Sequence, residues 1–597
     1  MINLEQNKLE KILLWAMRFL IVFILFTPVI VKFGYMFPFI VPRAFYFQII
    51  ASILLIINIA ALAFFPNLRP SWTKINKALA LYFAVAILTT ITSIEPSKSF
   101  IGTVERMFGL YSFLHLGIVF LAAITCLRDK KEWIYFLAVM LTISLLPSTN
   151  FILMILGILP NYTSSIMGNQ TFLAAYGILN FFLAIYLLTQ TRKFRFLLGI
   201  IILVQFSTII LTGVRGGFIG LVASALFAIA YYAWKHPKWR INFIGVGLIL
   251  LATYGLIYVN RENSVMRSIS AIQKITNFSL NDATIKARFS MWKMAIKGAM
   301  DKPILGWGRE NYSVVFNKHF DSSFNDAKVG EAWEDRAHNI IFDELVVGGL
   351  IGLISYLLVL AAAFVSARKE PILISLLIAY TIQNLFGVEN LNSSITFFIL
   401  LALFNFSETG EERKTDRKIT RKPAAYAITA VSTILVCIST YFFTFQPVYA
   451  NRDMLMSGQS FLQNNMKLSE QYFKQGIARI PLFPMLKLEL SSLLSTFDPA
   501  QYGIQISPNT YFDYLSNITK ENEPLIAAFP YEQRWHVNSI QIYFRMALIN
   551  MDVSYLDKAD ALLIGLNKTT PNRKLFAQLA ENLQRAKEMI AQQNIKK

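Results

Sequence analysis

From the N-terminus to about residue 445, apolar runs near 20 residues long alternate with short polar segments, the length at which a helix crosses a bilayer. The runs fall at 12–31, 46–65, 76–94, 109–127, 133–152, 172–190, 197–213, 216–234, 241–259, 340–365, 371–387, 393–407 and 425–445. They predict about 13 transmembrane helices. The fifth is the least regular, because Pro147 interrupts it and apolar sequence continues to Leu159. Two stretches break the pattern. Residues 260–338 form a long, mostly polar segment, and residues 446–597 have the composition of a soluble domain.

Inside the long segment, Ile285, Phe289, Trp292, Ile296 and Ala299 recur at helical spacing, with Lys286, Arg288, Lys293 and Lys297 on other faces. This predicts an amphipathic helix over Thr284 to Met300, lying on the outer leaflet and ended by Asp301-Lys302-Pro303. The tail reads helix, turn at Pro571, helix from Lys574 to Gln592, which is a tetratricopeptide-like unit without a clean 34-residue period. A non-repetitive helical cap fits the tail as well. The expected architecture is all-α: a polytopic helical membrane domain over 1–445, with an extracytoplasmic loop at 260–338. A helical-repeat-like, extracytoplasmic soluble domain over 446–597 follows.

Composition strengthens the membrane assignment. The chain is 55% hydrophobic and 15% charged, with 49 Phe and 25 Tyr, and its mean hydropathy is +0.48. Soluble domains carry about 25% charged residues. The net charge of +20 suggests nucleic acid until its distribution is considered. Basic residues gather in alternate loops: Arg69 to Lys77, Arg128 to Lys131, Arg192 to Arg195, Lys235 to Arg240, Arg368-Lys369, and Arg413 to Lys422. With a cytoplasmic N-terminus, all six lie inside, as topology requires. Cys126 and Cys437 sit in or beside apolar runs and suggest neither a disulfide framework nor a metal site. The first run exceeds a signal-peptide core and lacks a small-x-small site, so it reads as a retained helix.

Charges left at membrane depth on the outer side are few and therefore informative. Arg106 lies in the 95–108 loop, Arg215 in the turn Gly213-Val214-Arg215-Gly216, and Arg288 on the loop helix four residues before Trp292. His338 stands where the polar segment meets the apolar run from Ile340. Outward arginines oppose the positive-inside bias, but guanidinium pairs with phosphate in two-pronged fashion and stays charged. Histidine is the side-chain type suited to moving protons near neutral pH. Glu334, four residues earlier, shares a helix face with His338 if the helix already runs there, and Asn339 follows directly. Gly348-Gly349 and Gly352 allow close approach of a neighbouring helix.

This set suits attack by a hydroxyl on a sugar linked to a diphosphate: a base takes the proton, and fixed cations hold the leaving group. No Asp-x-Asp occurs, and Asp321 and Asp326 are the nearest stand-ins for a metal–diphosphate pair, so neither metal nor cofactor is expected. Plainer roles exist for each residue. Arg106 can pair with Glu105, Arg215 can snorkel to headgroups, Arg288 can bind anionic lipid, and His338 can cap a helix.

The pattern resembles the O-antigen ligase and polymerase superfamily of bacterial membrane glycosyltransferases. The resemblance rests on Ser99-Phe100-x-Gly102-x-x-Glu105-Arg106-x-x-Gly109, Gly168-Asn169-x-x-Phe172-Leu173-Ala174 and Thr212-Gly213-x-Arg215-Gly216-Gly217. It continues in Arg288-x-x-x-Trp292, Pro303-Ile304-Leu305-Gly306-Trp307-Gly308 and Ala337-His338-Asn339 running into Gly348-Gly349-Leu350-Ile351-Gly352, covering about residues 90–365. The resemblance implies inverting, metal-independent transfer of a glycan from undecaprenyl diphosphate at the outer face of the inner membrane. It implies His338 as base and Arg215 and Arg288 as holders of the diphosphate, with Arg106 less defined. The acceptor is left open among lipid A core, a growing polysaccharide and a protein. A partner protein for the tail is also open. A lipid-linked sugar transporter is the competing class. It should show ionisable groups or broken helices at mid-membrane, whereas the unusual charges here gather at one face. A scaffold would need one anchoring helix, not a dozen.

Overall fold

A computed structural model describes residues 2–160, 165–277, 279, 281–326, 333–409, 423–571 and 573–596. The basic run from Arg413 to Lys422 lies outside the described residues. Among the described residues the chain is all helical, with no strand. Ten helices are long and apolar enough to cross a membrane, and three shorter apolar ones, Leu110–Cys126, Arg195–Leu211 and Pro371–Leu385, complete the set. Together they occupy the places of the thirteen expected runs. Leu110–Cys126 and Leu391–Thr409 are buried along nearly their whole length and form the middle of the bundle. The fifth run is one unbroken helix, Lys130–Ile155, despite Pro147 inside it. Gln205 of the neighbouring helix donates to Ser144 O at 3.1 Å and accepts from Ser148 Oγ at 2.9 Å, tying the proline-containing turn in place.

Contacts among the loops define two ends. At one end Arg18 donates to Cys126 O at 2.7 Å and pairs with Glu132, Lys193 reaches Tyr135 at 2.7 Å, and Thr73 bonds Asn405 at 2.6 Å. Ser366 and Lys74 N both bond Glu408 there. Four of the basic loops therefore share this end. At the other end Asn311 Nδ2 donates to Ser93 Oγ at 2.8 Å and Ser99 Oγ at 2.9 Å, and Lys98 Nζ reaches Ser313 Oγ at 2.9 Å.

The helix Ile340–Ala367 breaks at Gly349, where φ is 61°. The backbone groups freed by the break are taken up by the 303–308 loop. Trp307 N donates to Val346 O and Gly308 N to Val347 O, each at 2.9 Å, while Leu350 N donates to Pro303 O at 2.8 Å. Irregular backbone at membrane depth survives only when its polar groups are satisfied by protein in this way. A Cβ on Gly349 would lie 2.3 Å from Ile304 O, and one on Gly306 would lie 2.4 Å from Val346 O. The glycine run thus admits a loop backbone, where the sequence suggested a neighbouring helix. Gly349→Ala is expected to cost at least about 3 kcal/mol, from clash and positive φ together. Gly348→Ala, with nothing within 4 Å of its would-be Cβ, should cost far less. Thermal midpoints of the two purified variants in detergent check this difference.

The loop helix spans Ala283–Asp301, close to the expected limits. Its buried face is Ala287, Met291, Met294, Ala295 and Gly298, packed with Trp307, Tyr312, Val315 and Val346. Phe289, Ile296 and Met300 form a second, exposed apolar stripe. One continuous helix runs Pro423–Leu462, with a π-helical turn at Tyr441–Phe445. Six helices follow it: Met466–Arg479, Pro484–Leu493, Pro508–Ala528, Gln533–Asn550, Val553–Thr569 and Lys574–Lys596. They fold back over the second end of the bundle. Lys98 pairs with buried Glu532, Val104 N donates to Glu489 Oε2 at 2.8 Å, and Asn317 Nδ2 donates to Tyr531 O at 3.0 Å. Arg573 lies 3.8 Å from the Trp333 ring centroid and donates to Gln533 Oε1 at 3.0 Å.

Candidate functional site

Asn339 caps the helix that follows it, accepting from Ile341 N at 3.0 Å, and Asp343 Oδ1 accepts from Ala337 N at 2.6 Å. These two bonds turn the chain sharply just before the helix, and His338 occupies the turn at φ 53°. A non-glycine residue is held in the left-handed region only when its surroundings impose it, and such positions cluster at functional sites. Trp292 helps impose it. Its Nε1 donates to Ala337 O at 3.0 Å, and its ring stacks on Phe342 at 5.5 Å. Asn339 and Trp292 therefore position the imidazole.

Glu334 Oε2 lies 3.4 Å from His338 Nε2, longer than a good hydrogen bond. The helix begins only at Ile340, so a bend brings the two together and not a shared helix face. The expectation of an i, i+4 helical pair is corrected to that extent. Glu334 is buried and His338 is about one-third exposed.

Arg106 is already engaged. Its Nε and Nη2 meet Asp335 Oδ2 and Oδ1 at 2.6 and 2.8 Å. Burial works against the Asp335 charge, yet the Arg106 guanidinium holds that carboxyl well below the usual range. Glu105, the expected neighbourly partner of Arg106, pairs with Arg534 of the tail at 2.8 Å. Arg336 pairs with buried Glu310, and Arg309 stacks on Phe113 at 4.2 Å. Sequence reasoning missed these groups. Asp335 and Arg336 lie just before Ala337-His338-Asn339, and Arg309-Glu310 follow Gly308, so adjacency to the recognised motifs was the available signal.

Arg215 opens the helix Arg215–Lys235 and spreads its guanidinium over three partners: Asp282 Oδ2 at 2.7 Å, Lys274 O at 2.8 Å and Asn277 O at 3.0 Å. Arg288 lies within electrostatic reach of Arg215, Asp282 and Glu334. Burial and then the nearby Arg215 charge push its pKa below the arginine range, while Glu334 and Asp282 act the other way. Arg288 is thus largely desolvated and feels the Arg215 charge, while Arg215 itself is paired with Asp282. Asp321, a nearest candidate for a metal–diphosphate ligand, instead pairs with Lys293 at 2.8 Å and caps Ser323 N at 3.0 Å.

His338, Glu334, Asp335 and Arg106 open onto a cavity of about 760 Å³. Phe37, Phe39 and Phe172 border it from the bundle, and Glu489, Glu532, Arg534 and Trp535 close it from the tail. Arg215 and Arg288 lie outside that lining. The structure thus brings His338, Glu334 and Arg106 to one chamber and does not bring Arg215 and Arg288 into it. Burial pushes the Glu489 carboxyl up to about 8 despite Lys98 beside it.

Residues 198–357 match the family model described as O-antigen ligase, a stretch that takes in Arg215, Arg288, Glu334 and His338. An uncharacterized protein of Haemophilus influenzae is 27% identical over 165 residues, covering 27% of this chain and 40% of that protein. A general O-oligosaccharyltransferase of Acinetobacter baylyi is 25% identical over 143 residues, covering 21% of this chain and 23% of that protein. In both cases the match spans less than half of the relative's length.

Proposed function

We propose that this O-antigen ligase family membrane protein transfers a glycan from undecaprenyl diphosphate to an acceptor hydroxyl, with His338 as general base. The observation that carries this is His338, its backbone held at φ 53° and its imidazole beside Glu334 at an open chamber. With Nε2–H directed to Glu334, Nδ1 keeps its lone pair for the acceptor proton. The acceptor oxygen attacks the anomeric carbon from the face opposite the diphosphate. The bond from that carbon to the diphosphate oxygen breaks, its electron pair leaves with the lipid diphosphate, and the proton goes to His338. Arg215 and Arg288 meet the charge that develops on the leaving oxygen, which is where fixed cations lower a barrier most.

We assign the site end to the extracytoplasmic face of a bacterial inner membrane, because four of the basic loops share the opposite end. On that assignment residues 1–445 are the catalytic membrane domain, with the 260–338 segment folded over its outer face. Residues 446–597 stand outside as a helical domain. The name of the Acinetobacter relative supports transfer of an oligosaccharide to an oxygen; a protein hydroxyl is one alternative acceptor, and a second glycan extended by a polymerase is the other.

Transfer by the purified full-length chain, fed lipid-linked glycan from a strain lacking it, tests the reaction. The expected products are free undecaprenyl diphosphate and a new glycosidic bond of inverted anomeric configuration by NMR. A retained configuration, or no carrier release, overturns the assignment. In the deletion strain, full-length lipid-linked polymer marks a ligase and single lipid-linked repeats mark a polymerase.

A further inference from the structure

We infer that the chamber beside His338 is an acceptor subsite for an uncharged saccharide, and that the tail supplies its selecting wall. This rests on the transfer reaction proposed above. Among the described residues, the lining holds three cations besides the histidine: Lys98, Arg106 and Arg534. Each is neutralised. Lys98 pairs with Glu532, Arg106 with Asp335 at 2.6 Å, and Arg534 with Glu105 at 2.8 Å. Two carboxyl groups, Glu334 and Glu489, are left over. Among the described lining residues a phosphorylated acceptor meets no guanidinium or ammonium without a carboxylate partner, and it meets Glu334 at the reacting histidine. Like-charge juxtaposition of this kind discriminates strongly against the wrong partner.

The remaining chemistry suits a sugar. Phe37, Phe39 and Phe172 are half-buried and border the chamber, offering apolar surface to pyranose rings. Paired carboxylates keep lone pairs free to accept from hydroxyls. Two of the three neutralising pairs cross from the bundle to the helix Gln533–Asn550 or the residue before it, Glu532. The tail therefore sets the charge balance of the acceptor side, while Arg215 and Arg288 serve the donor side.

The test uses the full-length chain in nanodiscs with its host's lipid-linked glycan as donor. Three acceptors are compared: an uncharged oligosaccharide released by mild acid from that lipid pool, the same oligosaccharide phosphorylated at one hydroxyl, and a serine-rich peptide. The expected preference for the uncharged oligosaccharide is about tenfold or more in kcat/KM. Glu105→Gln leaves the Arg534 guanidinium uncompensated and should shift the ratio towards the phosphorylated acceptor by about tenfold. Arg534→Gln should shift it the opposite way. Both side chains are about one-third exposed, so neither change should prevent folding. Lys558→Ala, in an exposed pair with Glu523 outside the chamber lining, should leave the ratio unchanged. Equal or better use of the phosphorylated acceptor or the peptide by the unaltered protein overturns the subsite and leaves the transfer reaction standing. Absence of His338-dependent product with every acceptor removes the reaction itself, and the subsite with it.

Discussion

His338→Ala should lower glycan transfer by about a hundred- to ten-thousand-fold, the range a positioned base supplies, while the protein still inserts and accumulates. The turn that holds the histidine does not depend on its ring. Asn339, Asp343 and Trp292 supply the bonds that close it, all to backbone groups. Alanine does pay for the left-handed backbone, so His338→Asn is the cleaner partner variant. Asparagine tolerates that conformation and cannot serve as the base. Glu334→Gln should cost less, because it removes only the group that orients the ring. Initial rates with the host's lipid-linked donor, at equal amounts of folded protein, check all three. Rates within tenfold of the unaltered chain for both histidine variants would show that the proton leaves by another route.

How far the sequence carries can be judged from particular residues. The apolar runs announced every membrane-length or shorter apolar helix, because burial in lipid imposes a length and composition that are local properties of the chain. The Gly349 break was not legible. Glycine pairs permit several kinds of close approach, and only the positions of Pro303 to Gly308 decide between a helix and a loop. Arg106 was recognised as an outward charge, yet its partner Asp335 lies more than two hundred residues away. Proximity in sequence pointed to Glu105, which the fold assigns to Arg534 of the tail. The closure of the chamber by Glu489 and Glu532 was equally hidden, since nothing in the helical pattern of the tail says which face meets the membrane domain.

Arg215→Lys should lower kcat by about a hundred- to a thousand-fold, the loss that follows removal of one charge-stabilising donor group. The substitution keeps the charge but not the fork. Arg215 uses Nε, Nη1 and Nη2 on three separate acceptors, and a single ammonium cannot span them. The same observation allows a purely structural role, in which Arg215 only pins the segment between Lys274 and Asp282. Asp282→Asn separates the two. If Asp282 holds the guanidinium in the donor-free state, as a carboxylate standing where a phosphate will bind, then removing its charge frees Arg215. The KM for the lipid-linked donor should then fall, with kcat little changed. If the pair is only a brace, Asp282→Asn should be as damaging as Arg215→Lys and should lower the thermal midpoint with it. Arg288→Ala adds the second arm. With the flanking guanidinium gone, the donor-side anion site loses half its charge, and kcat should fall by a similar factor even though the His338 turn keeps its own bonds. Full activity in Arg215→Lys and Arg288→Ala together would move the leaving diphosphate away from this corner.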